Sequence, residues 1–401
     1  MSAHRRHPHR TTLTIAIAVC LSAAFARPAA AQQSQTISDV LTFLMTNRTI
    51  ATDDFVRDEQ AAIATRNTIS DLIVLELANM PSATAAGFTY RLDPTLGTVT
   101  RSSDSFGPIF TQRSLMAGRE RASFGVSYRT TSYDSIDGRN LRDGTLLSTA
   151  SVLRGESTPF DIETVSLRIR ADTMTFTGSY GITDRLDISA GVPFVRLNLE
   201  GQRIDTYRGR TLLQARGSAT AAGLGDVVLR TRYNVFSDGA SGVSVGAEVR
   251  LPTGREEDLL GTGEYAFTPR LIGSYESARV GLHGELGYSI DPIADALSYA
   301  VAVTGVAAPR LTLIGELLGR RLDGIGQLVE TTLPHPRLAG VDTIRLTGSG
   351  ESTERLVLVT GFKWNVGSTW LMTASAMRTL TSVGLNAEWV PSITFDYWFG
   401  Q

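Results

Sequence analysis

The 401-residue sequence contains one cysteine, Cys20, and one lysine, Lys363. Cys20 lies inside the export signal predicted below, so we expect a mature chain with no disulfide and no thiolate metal site. Beyond that signal the only histidines are His283 and His335, and neither has metal-site spacing, so we predict no metal and no cofactor. A formal net charge of -2 offers no basic face for a nucleic-acid partner, and we expect none.

Long apolar runs are also missing after the first 31 residues, so no transmembrane helix is predicted. The start of the chain has a basic stretch, "MSAHRRHPHR", then an apolar run, "TLTIAIAVCLSAAFA", then a small-residue cleavage site at Ala29 and Ala31. These are the parts of a secretory signal peptide, which we predict to span residues 1–31. An exported chain without helical spans is periplasmic, secreted or an outer-membrane barrel.

Residues 32–120 differ in texture from the rest of the chain. "SDVLTFLMT" and "DFVRDEQAAIATRNTISDLIVLELANM" have helical spacing, with Asp53 or Asp54 as the predicted N-cap of the longer helix and Pro81 at its end. Residues 86–120 are rich in Gly, Ser and Thr and predict irregular structure with short strands.

From about Arg121 onwards apolar and polar residues alternate, as they do along a strand with one apolar face. The segments are about 11 to 16 residues long, whereas soluble strands have about 5 to 6 and membrane-spanning strands need about 9 to 11. They lie at 121–133, 165–180, 184–199, 225–236, 241–252, 264–275, 279–290, 297–307, 310–321, 354–366, 369–379 and 388–399.

The connections between these segments alternate in length. Short turns such as "GITDR" and "SDGAS" follow every second segment, and longer connections, chiefly 134–164, 200–224, 253–263 and 322–353, lie between most of the others. Outer-membrane barrels show this pattern, with short periplasmic turns and longer outer loops. We therefore predict an all-β fold class: a transmembrane antiparallel β-barrel of about 12 strands over 121–401, preceded by the partly helical segment 32–120, in the bacterial outer membrane.

The apolar face of each predicted strand must contact lipid, so the polar face should line the lumen. These side chains carry both signs of charge, and structural ion pairs are the alternative to a solute pathway. The predicted pore-lining residues are Arg168, Arg170, Asp187, Arg230, Arg232, Glu248, Arg250, Glu264, Arg270, His283, Glu285, Glu316, Lys363 and Asp396.

Eight strands enclose an interior that side chains just fill, and the barrel widens with each added strand. A barrel of about twelve strands therefore has a lumen too wide for side chains to fill. The amphipathic stretch 35–85 is a candidate to sit in or below the lumen as a hatch. The alternative is a periplasmic domain or a partner-binding arm.

The last predicted strand alternates aromatic and polar residues, with Ile393, Phe395, Tyr397 and Phe399 on one face. We expect this face to contact lipid and the strand to pair with the first one. The pattern resembles the assembly signal of outer-membrane barrels, which implies the barrel assembly machinery as a partner.

Four stretches resemble the outer-membrane transporter family named after the meta-pathway of phenol degradation. They are "YGITDRLDISAGVPFV", "GLGDVVLRTRYNVF", "LPTGREEDLLGTGEYAFTPRLIGSYE" and "FDYWFG". The chain is also distantly similar to the barrels that take up fatty acids and aromatic hydrocarbons. The resemblance implies uptake of hydrophobic or aromatic small molecules.

The sequence thus predicts a passive, non-enzymatic outer-membrane channel for small hydrophobic solutes. The alternative is a structural or adhesion barrel whose outer loops, 134–164 and 322–353, bind partners. A lipase built on His283, with Glu285 and Ser289 on the same face, is a third possibility, but a lone histidine in such a row is more often a structural lumen residue.

Overall fold

The computed structural model describes residues 35–46, 58–78, 90–93, 98–101, 104–238, 241–324, 326–367 and 369–399. The predicted signal peptide, 1–31, lies outside the described residues. All contacts below lie within the unit Thr36–Gln401. Among the residues that the structure describes, neither helix combines the length and the apolar character needed to span a bilayer.

Within the described ranges, twelve antiparallel strands close into a barrel. In sequence order they are β3 (Ala122–Tyr133), β7 (Asp161–Gly181), β8 (Leu186–Tyr207), β10 (Val227–Asp238), β11 (Ser241–Leu251), β12 (Ala266–Glu276), β13 (Val280–Ser289), β14 (Ala296–Ala308), β15 (Leu311–Leu322), β18 (Thr353–Gly367), β19 (Trp370–Thr379) and β21 (Val390–Phe399). Each pairs with its neighbour in this order, and β21 pairs with β3 to complete the ring. The predicted all-β barrel, its strand number and its closure are confirmed.

The two ends of the barrel differ in their connections. Short turns join β7 to β8, β12 to β13 and β14 to β15, and this short-turn end also holds the start of β3 and the end of β21. The opposite end, the long-loop end, carries the long connections from β3 to β7 and from β15 to β18. In an outer-membrane barrel the short turns face the periplasm.

The outward face of the barrel is apolar along its middle. Val245, Leu271 and Leu286 stand side by side on β11, β12 and β13, and each is about half exposed. Large exposed apolar side chains also occur on β14, β15 and β18. A closed ring leaves no unpaired strand edge, so its backbone can cross lipid. The structure is that of an outer-membrane barrel, as predicted.

Strands β7 and β8 are 21 and 22 residues long, about twice what a bilayer crossing needs. Their upper halves leave the barrel at the long-loop end and form a sheet with four further strands, which we call the extension sheet. The added strands are β6 (Leu146–Leu153), β9 (Arg210–Leu224), β16 (Leu328–Pro334) and β17 (Val341–Gly348). All four lie in stretches that the sequence predicted as loops.

Two helices, α1 (Ile37–Thr46) and α2 (Glu59–Ala78), pack against the extension sheet. In α1 the buried residues recur at helical spacing, from Ile37 through Val40 and Leu41 to Leu44. The approach is close: a Cβ on Gly201 of β8 would meet the Leu44 side chain at 2.5 Å. The helices therefore belong to the core above the barrel mouth.

The starts of both helices are capped by side chains. Thr36 and Asp39 form a reciprocal cap on α1, with N to O distances of 3.1 and 3.0 Å. On α2 the Ala61 amide donates to the Asp58 carboxylate at 3.1 Å. Asp58 therefore replaces the predicted cap, Asp53 or Asp54, and these two lie outside the described residues with Pro81. The helix begins later than the apolar pattern suggested.

Smaller strands complete the description. β1 (Tyr90–Asp93) and β2 (Thr98–Arg101) form a hairpin in the irregular region. β4 (Ser135–Ile136), β5 (Arg139–Asn140) and β20 (Leu385–Asn386) form a small sheet at the long-loop end.

Candidate functional site

Residues 104–118, which we call the lumen segment, lie inside the barrel and are held by inward-facing side chains. The Glu316 carboxylate of β15 accepts hydrogen bonds from the backbone N–H groups of Ile109, Phe110 and Thr111, the last at 3.0 Å. The Thr111 hydroxyl donates to the same carboxylate at 3.0 Å. Backbone that enters a lumen outside any sheet needs such partners, and a carboxylate is a strong one.

The second half of the lumen segment is anchored by a buried ion pair. Arg113 donates to Glu276 of β12 through two nitrogens. One residue later, the Ser114 amide donates to the Ser274 hydroxyl at 2.9 Å and the Ser114 carbonyl accepts from Ser244 at 2.7 Å. With further contacts to Thr304 and Lys363, the segment is bound along strands β10, β11, β12, β13, β14, β15 and β18.

Above the lumen segment lie two adjoining cavities of about 190 and 180 Å³. We call the two together the chamber. Phe110 and Gln112 of the lumen segment line its floor, and Glu76 and Leu77 of α2 line its roof. The chamber therefore lies in the lumen between the N-terminal helices and the segment that precedes β3.

One wall of the chamber is apolar. Leu318 of β15, Val357 of β18, Met377 of β19 and Val390 of β21 face inward on neighbouring strands. Leu318 and Val357 are direct cross-strand partners, and so are Met377 and Val390. With Phe110 below, they form a continuous surface that suits a hydrophobic group.

The facing wall carries ion pairs. Arg230 and Glu248 are 2.5 Å apart, and Arg270 lies 3.1 Å from the same Glu248. Arg270 also bonds one carboxylate oxygen of Glu285. The other oxygen of Glu285 accepts a hydrogen bond from the backbone N–H of Gln112 at 2.8 Å. The charges of this wall are therefore bound to one another and to the floor of the chamber, which fits a structural ladder as well as a polar pathway.

At the roof, Glu76 of α2 contacts two arginines of the barrel wall. Its carboxylate accepts a hydrogen bond from Arg355 of β18 and lies 4.0 Å from Arg320 of β15. Glu76 is the one roof carboxylate among the described lining residues. Further up α2, the Thr65 hydroxyl lies 3.2 Å from the carbonyls of Ser148 and Leu346 in the extension sheet. The helix thus links the extension sheet to the chamber.

Residues 125–296 match the model of the family described as "Putative MetA-pathway of phenol degradation". The predicted resemblance to this family is confirmed over these residues. The phenol-degradation family match begins inside β3 and ends at the first residue of β14, so it includes Glu248, Arg270 and Glu285 of the chamber but not its apolar wall. No curated protein sequence matches the chain. The distant similarity to fatty-acid and hydrocarbon uptake barrels stays a prediction.

Several solved outer-membrane barrels have a similar architecture. An outer membrane channel from Pseudomonas putida F1 is 12% identical over 71% of this chain and 98% of its own, with a TM-score of 0.45. The KdgM porin, solved with disordered oligogalacturonate, is 7% identical over 69% of this chain and 99% of its own, with a TM-score of 0.37. OmpT of Vibrio cholerae is 10% identical over 69% and 98%, with a TM-score of 0.27. Since all three scores are below 0.5, the fold assignment rests on the closed strand register of this chain.

Most of the predicted pore-lining residues face inward. Those that the structure brings to the lumen are Asp187, Arg230, Arg232, Glu248, Arg250, Arg270, His283, Glu285, Glu316, Lys363 and Asp396. Glu264 is not among them, because it lies in the loop before β12 with an exposed side chain. Whether any of them guides a solute stays a prediction.

Arg168 and Arg170 face outward, contrary to the prediction. On β7 they share a face with Met174 and Phe176, while the alternate residues are buried. The outward face changes from apolar to polar above Met174, so these arginines lie beyond the lipid, where β7 continues into the extension sheet. Polar character along this strand therefore marks the end of the bilayer rather than the lumen face.

His283 lies under the lumen segment and not on the chamber. Its Nδ1 is 3.0 Å from the Ser274 hydroxyl and 4.0 Å from Glu276, and the ring is buried. Glu285 and Ser289, the partners considered for a lipase, contribute to the chamber lining instead. Within the described ranges, no cluster of three or more His, Cys, Asp or Glu side chains is placed to hold a metal ion.

Sequence reasoning missed the arginines that line the roof and the anchor of the lumen segment. These are Arg113, Arg129, Arg320 and Arg355, with their partners Glu76 and Glu276. The sequence pattern could have identified Arg320 and Arg355, since both fall on the polar positions of predicted strands. No local pattern identifies Arg113 or Glu76, because their partners are more than 160 residues away along the chain.

The predicted hatch, 35–85, is placed at the long-loop end. Its described helices pack on the extension sheet, and only the end of α2 reaches the chamber. Within the described residues, the part of the chain that crosses the lumen near the short turns is instead 104–118. A hatch role for 35–85 stays a prediction.

The four residues of the predicted assembly signal all face outward on β21. The Tyr397 ring packs against Trp370 at 4.9 Å and against Phe399 at 4.6 Å between centroids. Phe399 pairs with Ala122, the first residue of β3. The strand thus closes the barrel, while its role as a signal stays a prediction.

Proposed function

We propose that the protein is a passive outer-membrane channel for small hydrophobic or aromatic solutes. The observation that carries this proposal is the chamber, an internal space with one apolar wall inside a closed barrel. Solute enters at the long-loop end beside α2, crosses the chamber along Leu318 and Val357, and leaves past the lumen segment. Diffusion down a concentration gradient drives the transfer.

Liposome swelling with small neutral solutes tests whether the chamber is the passage. Val357→Trp adds bulk on the inward face, and Leu358→Trp adds the same bulk to the next residue, which faces outward. We expect the first variant to slow swelling several-fold and the second to leave it unchanged. Equal rates in both variants, or no swelling with the parent protein, would contradict a passage through the chamber.

Growth of a deletion strain on aromatic and aliphatic carbon sources tests the solute class. We expect slower growth on low concentrations of aromatic or hydrophobic compounds and normal growth on sugars. Restoration by the parent chain but not by Val357→Trp would connect the phenotype to the chamber. A defect limited to sugars would contradict the proposed solutes.

The second candidate is a structural or adhesion barrel. The ordered extension sheet favours it, because outer connections 134–164 and 322–353 form paired strands there. Adhesion of cells lacking the protein, compared with cells that carry it, tests this candidate. Loss of adhesion together with a barrel closed to every solute would favour it over transport.

A further inference from the structure

Strands β15 and β18 carry two successive layers of side chains, one at the roof of the chamber and one on its apolar wall. Arg320 of β15 is the direct cross-strand partner of Arg355 of β18, and Leu318 is the direct partner of Val357. Each layer is two residues from the other, which is about 7 Å along a strand. A pair of guanidinium groups therefore stands directly above a pair of apolar side chains, all facing inward.

Two like charges directly opposite each other are unfavourable unless an anion lies between them. Here the anion is the carboxylate of Glu76, which bonds Arg355 and lies 4.0 Å from Arg320. Glu76 does not belong to the barrel wall. It comes from α2, which packs on the extension sheet and, through Leu75, against Ala296 and Leu322 at the rim of the barrel.

If Glu76 is left out, the barrel residues around the chamber include more arginines than carboxylates. The carboxylates that line it are Asp226, Glu248 and Glu285. Asp291 does not line it but bonds Arg250 at 2.5 Å. The arginines that line the chamber are Arg129, Arg230, Arg250, Arg270, Arg320 and Arg355. The barrel is thus complementary to an added negative charge at the level of Arg320 and Arg355.

We propose that Arg320 and Arg355 form an anion-recognition site on the solute pathway and that Glu76 occupies it when no solute is bound. The solute is a small carboxylate with an apolar ring or chain. Its carboxylate binds the two guanidinium groups, and its apolar part lies on Leu318, Val357 and Met377. This inference rests on the proposed channel function and adds the charge of the solute.

Entry of such a solute requires the solute carboxylate to replace that of Glu76. Arg355 exchanges one charge-assisted hydrogen bond for another, so the net change in interaction is small. The end of α2 then leaves the roof of the chamber, which widens the path from the long-loop end. Glu76 therefore competes with the solute.

Block of single-channel current in KCl measures binding in the chamber. The probes are benzoate, benzamide, which has the ring without the charge, and acetate, which has the charge without the ring. We expect benzoate to block the full-length channel at a concentration about tenfold lower than either of the others. Arg320→Gln and Arg355→Gln should remove the preference for benzoate over benzamide. Val357→Gln should remove the preference for benzoate over acetate.

Glu76→Gln removes the competitor and should lower the blocking concentration of benzoate about tenfold. Asp71→Asn is the matched control, because Asp71 lies on the same helix with an exposed side chain and is expected to change nothing. Equal block by the three probes, or unchanged preference in both arginine variants, would overturn the inference while leaving a conducting channel. A chain that carries no KCl current at all would overturn the channel function itself.

Discussion

Arg113 in the lumen segment and Glu276 at the end of β12 form an ion pair in which each side chain is 1% exposed. A pair this deeply buried is costly to separate, because the remaining partner keeps its charge without compensation. The pair therefore fixes the lumen segment to the barrel wall near the short-turn end.

Glu276→Gln should release the second half of the lumen segment. The buried Arg113 guanidinium loses its counter-charge, which we expect to cost about 3 to 5 kcal/mol. Trypsin should then cleave after Arg113 faster than in the parent protein, as measured by mass spectrometry of the folded barrel in detergent. Glu120→Gln, which changes a pair that is largely exposed, serves as the control and should not alter cleavage. Identical resistance in Glu276→Gln and the parent would show that the ion pair does not hold the segment.

Leu271→Arg should destabilise the barrel in lipid. Leu271 is half exposed on the outward face at the middle of β12, and an arginine there costs about 2 to 4 kcal/mol at the bilayer midplane. Leu213→Arg makes the same change at an exposed leucine of the extension sheet, beyond the lipid, and should change stability little. Urea unfolding in lipid vesicles measures both. Comparable losses would mean that the lipid boundary is not where β7 turns polar.

Tyr397→Ala together with Phe399→Ala should reduce the amount of folded protein in the outer membrane. Both side chains face outward on the closing strand, and Phe399 pairs with the start of β3. Tyr233→Ala together with Phe236→Ala removes two outward aromatics near the same end of the barrel and is the control. Heat-modifiable migration of outer-membrane fractions gives the folded amount. Equal losses in the two double variants would indicate an effect of the aromatic girdle rather than an assembly signal.

Single-cysteine variants should show that α2 lies on the outer side. Cys20 falls within the predicted signal peptide, so a new cysteine is expected to be the only thiol of the exported chain. Ile63→Cys places it on an exposed position of α2, and Ala278→Cys places it in a short turn. A membrane-impermeant maleimide should label the first variant on intact cells and the second only after lysis. The reverse order would place the helices on the periplasmic side.

Deleting 35–85 tests the hatch. Removal of α1 and α2 takes Glu76 and Leu77 from the roof of the chamber, so we expect a higher single-channel conductance in planar bilayers. Replacing 336–339, in the connection between β16 and β17, with two glycines is the control, since it shortens an outer connection and keeps Leu346, which α2 contacts. Unchanged conductance after deletion of 35–85 would contradict a hatch role for this segment.

The barrel could be predicted from the sequence because each strand carries its own period-two signal. The segment 279–290 and the observed β13, for example, differ by one residue at each end. The extension sheet could not be predicted in this way. Its strand β9 mixes Thr, Gly, Arg and Leu, and β16 mixes Leu, Val, Glu and Thr, without a clean alternation, since these strands lie beyond the lipid.

Of the candidate site, only residues of the barrel wall could be predicted from the sequence. Inward residues such as Glu248 and Arg270 follow from strand parity, but Arg168 was assigned to the lumen because parity alone does not show where a strand leaves the bilayer. The lumen segment and Glu76 depend on tertiary contacts that have no local pattern. Their positions are set by carboxylates and arginines that come from strands far along the chain.

The lumen segment also limits the order in which the molecule can form. It is bound inside the ring, with the helices at one opening and β3 leaving from the other, and the ring is sealed by the hydrogen bonds between β21 and β3. Both ends of the lumen segment lie at the short-turn end, where Phe106 and Ala117 pack with Leu371 and Trp398. Its partners come from seven strands, β10 to β15 and β18, so residues 104–118 reach their full set of contacts only after those strands have come together.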